Sequence, residues 1–227
     1  TQHRMSPPGG VAMHWSRVVD APLAALIGLL TPLLGAEAAE RATRLVFPLA
    51  LAAAALALLG ALARKMTDAR GGLAATLLAL TLTATTTQFA PGRIDHHGPQ
   101  IALLVGMALA CVTALDPARA RIAAFAGAAA ALSLAISVEN VPFVAATGVV
   151  FGLALLRSAA QAGAAIWFGL SLAGSSFAAY ALFGVEANAQ ACDAFSRFHL
   201  TAAAGGGLAL AGAGYVGLRF AHPPARL

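Results

Sequence analysis

Charge is scarce in this chain: only 10% of its 227 residues are Asp, Glu, Lys or Arg, against roughly 25% in an average soluble domain. A water-facing surface cannot be covered with so little polarity, which excludes a soluble enzyme. The mean hydropathy of +0.80 and 59% hydrophobic content exclude a disordered chain as well. Cysteine is nearly absent, and two residues cannot make a disulfide framework. Cys111 lies in an apolar run and Cys192 in a polar loop, most of a membrane thickness apart in the topology those runs imply. No P-loop, no C-x-x-C pair and no Ser-His-Asp order occurs. Gly212, Gly214 and Gly217 do spell G-x-G-x-x-G, but no strand precedes them and they fall inside an apolar run, which excludes a dinucleotide fingerprint.

What the chain has instead is long apolar runs. Seven read out at 45–63, 71–90, 99–115, 122–138, 141–156, 164–184 and 200–220, each close to the roughly 30 Å of a bilayer's hydrocarbon core. The run at 21–35 is shorter and holds Pro22 and Pro32, which predicts an interfacial or re-entrant helix rather than a span. Residues 36–44 carry Glu37, Glu40, Arg41 and Arg44 and predict the wet first turns of the next helix. The expected fold is all-α: a polytopic transmembrane helix bundle of about seven spans plus a short interfacial helix. Residues 1–44 then form an external loop with that helix, and 45–227 form the bundle. Small-residue pairs such as Gly207/Ala211 and Ala213/Gly217 suit close helix packing.

The few charges have a pattern. Alternating the loops across a bilayer puts eight of the 14 Lys and Arg on one side, with Asp68 and Asp116 as its only acids. The other side collects Asp20, Glu37, Glu40, Asp95, Glu139, Glu186 and Asp193 with six Arg. The excess of basic residues in short loops assigns the first side to the cytoplasm and the second to the outside. A net charge of +5 and a pI near 10.2 are accounted for by these loop residues, and no nucleic-acid partner is expected.

Three segments on the acidic side hold the candidate chemistry. Pro91-Gly92-Arg93-Ile94-Asp95-His96-His97-Gly98-Pro99-Gln100 forms a tight loop between two spans. Asp95, His96 and His97 offer up to three ligands to a divalent cation, and Asp with His suits Mn²⁺, Zn²⁺ or Fe²⁺ better than Ca²⁺; adjacent residues rarely all face one metal, so Asp95 with one His is the expected count. Asp95 would equally suit the positive end of the following helix. The preceding span ends in Thr81, Thr83, Thr85, Thr86, Thr87 and Gln88. Those polar groups either face a wet interior or bond back to their own helix. His14, Trp15, Ser16, Arg17 and Asp20 form the second cluster, where a guanidinium beside His and Asp suits a phosphate head group and Trp15 suits the membrane interface. This cluster shares a face with Asp95 only if 21–35 does not span. The third is Ser137-Val138-Glu139-Asn140-Val141-Pro142, with Glu139 a lone carboxylate near hydrocarbon.

Together these motifs resemble the GT-C superfamily of polytopic glycosyltransferases, in particular uncharacterised bacterial relatives of oligosaccharyltransferase catalytic subunits. The stretches 8–20, 92–97 and 133–143 carry the resemblance, which covers about residues 1–160. It implies inverting sugar transfer from a polyprenyl-phosphate or polyprenyl-diphosphate donor at the outer face of a bacterial inner membrane. It implies that Asp95 matches the second acidic motif and helps bind a divalent cation, Mg²⁺ or Mn²⁺, with His97 standing where an Asp-x-Asp would have its second acid. Asp95 and Glu139 would be the catalytic pair, and His14, Trp15, Arg17, Asp20 and Arg93 would bind the donor. The chain starts at Thr1 with no Met or signal pattern and is expected to belong to a longer protein. The superfamily's first acidic motif would then precede Thr1, and this stretch alone would be inactive. A transporter or lipid flippase, with the same groups lining a pathway, is the competing expectation; a structural membrane subunit would not need Asp95 or His97.

Overall fold

The computed structural model describes residues 17–184 and 194–221. Among them every regular element is helical. The helices are α1 (Asp20–Leu34), α2 (Ala36–Met66), α3 (Ala69–Thr81), α4 (Thr83–Thr86), α5 (His97–Ala114), α6 (Ala123–Ile136), α7 (Val141–Arg157), α8 (Ala162–Phe183) and α9 (Arg197–Ala221). Short 3-10 turns lead into α6, α7 and α8, at Pro117–Ile122, Val138–Asn140 and Ala159–Gln161. Taking those turns with the helices they lead into, six among the described residues are long and apolar enough to cross a membrane. Large apolar side chains such as Leu33, Phe125, Leu156 and Leu182 point outward. An apolar exterior of this kind suits hydrocarbon, so the chain is an integral membrane protein in contact with lipid.

The expected span over 71–90 is broken. Helix α3 stops at Thr81, Leu82 leaves helical geometry (φ −79°, ψ 84°), and α4 with a 3-10 turn at Thr87–Phe89 completes the passage. The threonines account for this locally. Thr81, Thr86 and Thr87 donate their hydroxyls to the carbonyls of Leu78, Thr83 and Ala84, at 2.7, 3.2 and 3.1 Å, and so compete with the helical ladder. Gln88 Nε2 likewise turns back to the Ala84 carbonyl at 3.4 Å.

Helix α2 does more than span. Its 31 residues make it about 46 Å long, well over the hydrocarbon thickness. The Gly92 amide donates to the Arg44 carbonyl at 2.8 Å, which places the 90–97 loop against α2 a little past its second turn. Residues 36–43 therefore project about 12 Å beyond that loop. Exposed i,i+4 pairs, Glu37 with Arg41 and Glu40 with Arg44, occupy this projecting stretch, as the amphipathic sequence predicts. At Gly35 (φ 77°) the chain turns sharply, and α1 packs on α2. With 15 residues, about 22 Å, α1 is too short to cross. Its C-terminal end is joined to the projecting end of α2, on the side of the 90–97 loop, and Val18 before its first turn packs against the main core.

The rest of the bundle, α5 to α9, is held together by small residues. Helix α6 buries Ala123, Ala126, Gly127, Ala130 and Ala131. A Cβ on Gly127 would lie 2.6 Å from the Phe168 carbonyl oxygen, and one on Gly169 would lie 2.2 Å from that of Gly207. Backbones of α6, α8 and α9 thus meet almost directly, the use expected of glycine and alanine where lipid gives no hydrophobic drive to association. Gly214 of the G-x-G-x-x-G sequence packs in the same way against the Ala162 carbonyl. Phe151 and Phe168, with ring centroids 4.9 Å apart, fill the space between α7 and α8.

Alternating helix directions bring the connections together at two ends. Gln161 donates to the Leu115 carbonyl at 2.9 Å, tying the 115–122 and 157–161 connections at one end. That end carries Arg119, Arg121 and Arg157, with Arg64, Lys65 and Arg70 at the α2–α3 turn. The 90–97 and 137–141 segments meet at the other.

Candidate interfacial site

At that second end the 90–97 loop and the 137–141 turn form one polar cluster. Gly92 (φ 88°) takes a backbone conformation that glycine adopts without strain, and it turns the chain back toward the bundle. His96 sits at the N-cap of α5 and His97 is its first residue. Asp95 Oδ1 accepts the backbone N–H of His97 at 3.1 Å, satisfying one of the amides left free at a helix start. The helix-start role open to Asp95 in the sequence is therefore real. Its other oxygen, Oδ2, accepts Arg93 Nε at 2.7 Å. Burial pushes the Asp95 carboxyl up, but the His97 amide, the His97 ring and the Arg93 guanidinium outweigh it and hold it below the usual Asp value.

The two imidazoles do more than cap. Their rings stack with centroids 4.2 Å apart and both reach Glu139, which is 43 residues from His96 in sequence. His96 Nε2 lies 3.3 Å from Glu139 Oε1, and His97 Nε2 lies 4.0 Å from Oε2. His97 Nδ1 is buried 3.2 Å from Asp95 Oδ1, close but off the hydrogen-bonding line. Both histidines thus reach the same carboxylate, although His96 already has helical backbone angles (φ −77°, ψ −16°) next to His97.

Glu139 is held there by a buried network that sequence reasoning did not single out. Gln100 donates to the carbonyls of Ser133 and Ser137 at 3.0 and 2.9 Å, and its Oε1 accepts the Ser133 hydroxyl at 2.6 Å. Asn140 donates to the Gln100 carbonyl at 3.2 Å, to the Ser133 hydroxyl oxygen at 2.8 Å, and to Gln100 Oε1. These bonds lock the start of α5 to the end of α6 and to the turn that presents Glu139. The signal was available: Gln100 and Ser133 are an amide and a hydroxyl near the ends of apolar runs, and such groups turn inward to find partners.

Arg17 and Asp20 pair with each other at 2.7 Å, both largely exposed. Among the described residues no hydrogen bond or ion pair joins them to the Asp95–Glu139 cluster. His14 and Trp15, expected in the same group, lie outside the described residues, as do Cys192, Glu186 and Asp193. Asp95, His96, His97, Arg93 and Glu139 are thus brought together. Nearby, α7, α8 and α9 enclose a half-open apolar groove of about 390 Å³, lined by Val141, Val144, Phe168, Leu172 and Leu210, with His199 on its wall.

Two carboxylates against one guanidinium leave the cluster one net negative charge when both imidazoles are neutral. That balance suits a cation before an anion. Of the two cations the resemblance implies, Mn²⁺ accepts nitrogen donors, whereas Mg²⁺ prefers carboxylates and water and fits this set poorly. No protein-family model matches the chain, and neither a curated protein nor a solved structure matches it. The likeness to GT-C glycosyltransferases accordingly rests on the three motifs alone.

Proposed function

We propose that the protein is a membrane glycosyltransferase of GT-C type that moves a sugar from a polyprenyl-phosphate or polyprenyl-diphosphate donor. The observation that carries the reading is the meeting of Asp95, His96, His97 and Glu139, from chain-distant segments, at one end of a membrane-length bundle. A lipid-linked donor carries its phosphate at that depth, with its hydrocarbon in the bilayer. The apolar groove along α7 and α9, starting at Val141 beside Glu139 and Asn140, suits the hydrocarbon part. The membrane is the inner membrane of a bacterium and the site faces outward, in keeping with the basic residues at the opposite end.

Departure of a phosphate from a sugar builds negative charge on the leaving oxygen, and fixed positive charge there lowers the barrier. Arg93, partly exposed beside Asp95, supplies one such charge. A divalent cation at the imidazole–carboxylate cluster would supply more. Glu139, over half exposed, is available to orient the acceptor through whichever oxygen a bound cation leaves free. Asp95 keeps the loop and Arg93 in register.

Turnover of a polyprenyl-linked sugar by the complete protein, wild type against Asp95→Asn, tests this. A drop of at least tenfold is expected; equal turnover refutes the role of Asp95. A flippase would instead move the lipid without breaking the sugar–phosphate bond. Charged side chains among the described residues lie at the two ends of the bundle and not along its depth, which favours chemistry over transport.

A further inference from the structure

The geometry points to a nitrogen-rich transition-metal site in which His96, His97 and Glu139 are the ligands and Asp95 is not. We infer that it takes one divalent cation of the Mn²⁺ to Zn²⁺ series, in preference to Mg²⁺, and that Asp95 acts as a positioning residue behind His97. One ligand atom from each of His96, His97 and Glu139 can be chosen so that all lie within 4.8 Å of one another. Tetrahedral coordination with metal–ligand bonds of about 2.0–2.1 Å needs ligand atoms roughly 3.3 Å apart. His96 Nε2 lies 3.3 Å from Glu139 Oε1, which meets that edge; His97 Nε2 lies 4.0 Å from the other oxygen, Oε2, so one oxygen serves both histidines only after the carboxylate turns.

Asp95 occupies a different place. Its Oδ1 approaches His97 Nδ1, the ring nitrogen opposite the one that faces Glu139, and also holds the His97 amide; its Oδ2 holds Arg93. Once the His97 ring turns onto the hydrogen-bonding line to meet a metal, a carboxylate behind the ligating imidazole would set the tautomer so that Nε2 carries the free lone pair, and would raise ligand basicity. The Gln100–Asn140 network plays the corresponding part for Glu139, fixing the turn that bears it. Three protein ligands would leave a coordination position open, the arrangement of a site that binds substrate or water. The acid in the sequence motif is thereby reassigned from ligand to orienting group, and the histidine pair from accessory to principal donor.

The test is independent of sugar transfer. Detergent-purified protein, stripped with chelator, is titrated with Co²⁺ and with Zn²⁺, and bound metal is counted by elemental analysis. The site predicts saturable uptake sensitive to His97, an X-ray absorption signature of two imidazoles, and retention of the metal against hundredfold Mg²⁺. His96→Ala and His97→Ala should each lose that equivalent, and Glu139→Gln should weaken it at least tenfold. Asp95→Asn should weaken it about 10–100-fold while keeping the two-imidazole signature. Circular dichroism and elution volume confirm that each variant is folded, and His97→Gln replaces His97→Ala if the latter is not. Absence of saturable uptake overturns the inference, as does uptake unchanged in both His97 variants. Loss of metal in Asp95→Asn with retention in His97→Ala would make Asp95 the ligand and overturn it equally.

Discussion

Replacing Gln100 by Leu tests whether the buried network holds the site. Leucine approximates the volume of glutamine but carries no polar atoms. The Gln100 amide serves Ser133 and Ser137 carbonyls and accepts from Ser133 and Asn140. Some partners survive its loss: the Ser133 carbonyl still accepts the Ser137 amide at 3.0 Å, and Asn140 still reaches the Gln100 backbone carbonyl. The Ser137 carbonyl loses its Gln100 donor, and the Ser133 hydroxyl loses its acceptor. A buried polar group left unpaired costs about 1–3 kcal/mol. Side-chain hydrogen bonds measured within membrane bundles average nearer 0.6 kcal/mol. The expected destabilisation is therefore about 1–3 kcal/mol, read by unfolding in mixed detergent with increasing dodecyl sulfate. Because the lost bonds hold the turn carrying Glu139, Co²⁺ affinity should fall at least severalfold under conditions where the variant is fully folded. A stability change below about 0.5 kcal/mol with unaltered affinity would refute the reasoning, since that is the range of an indifferent surface substitution.

Other expectations follow from the same structure. Gly207→Leu puts a side chain where even a Cβ would lie 2.6 Å from the Gly169 carbonyl, so it should cost about 1–3 kcal/mol or more in the same unfolding assay. Thr81→Ala and Thr87→Ala remove hydroxyls that bond only within their own helical segment, and each should change stability by less than about 0.5 kcal/mol. Asp95 has a native pKa below its ordinary value, so its contribution to stability is full above that ordinary value and is lost as pH falls through the lowered native one. In chelator, the stability difference between wild type and Asp95→Asn should close as pH falls below the ordinary Asp range.

Much of the architecture was legible because hydropathy reports burial in lipid directly. The runs at 99–115, 122–138, 141–156, 164–184 and 200–220 correspond to helices α5 to α9, and the short run at 21–35 to α1. The break at Leu82 was not, since leucine and threonine raise no alarm in a hydropathy window; the competition of Thr hydroxyls with the backbone is a local effect of a different kind. The site was half legible. Asp95 and Glu139 stand out as acids near hydrocarbon, and alternating loops put them on one side. Their union through the histidines needed the angle between α5 and the 137–141 turn, which depends on Gln100, Ser133 and Asn140. Those residues read individually as minor polar interruptions, and only their mutual hydrogen bonds give them a purpose.

The proposed function requires the 90–97 loop and the 137–141 turn to act as one site on a lipid-linked sugar. A double-mutant cycle on polyprenyl-linked sugar turnover by the complete protein measures this most directly, using His97→Ala, Glu139→Gln and the pair. Residues that act as a unit are strongly non-additive, so the double variant should be little worse than the weaker single one. Losses that simply multiply, or a wild-type protein that leaves the sugar–phosphate bond intact, would contradict the account.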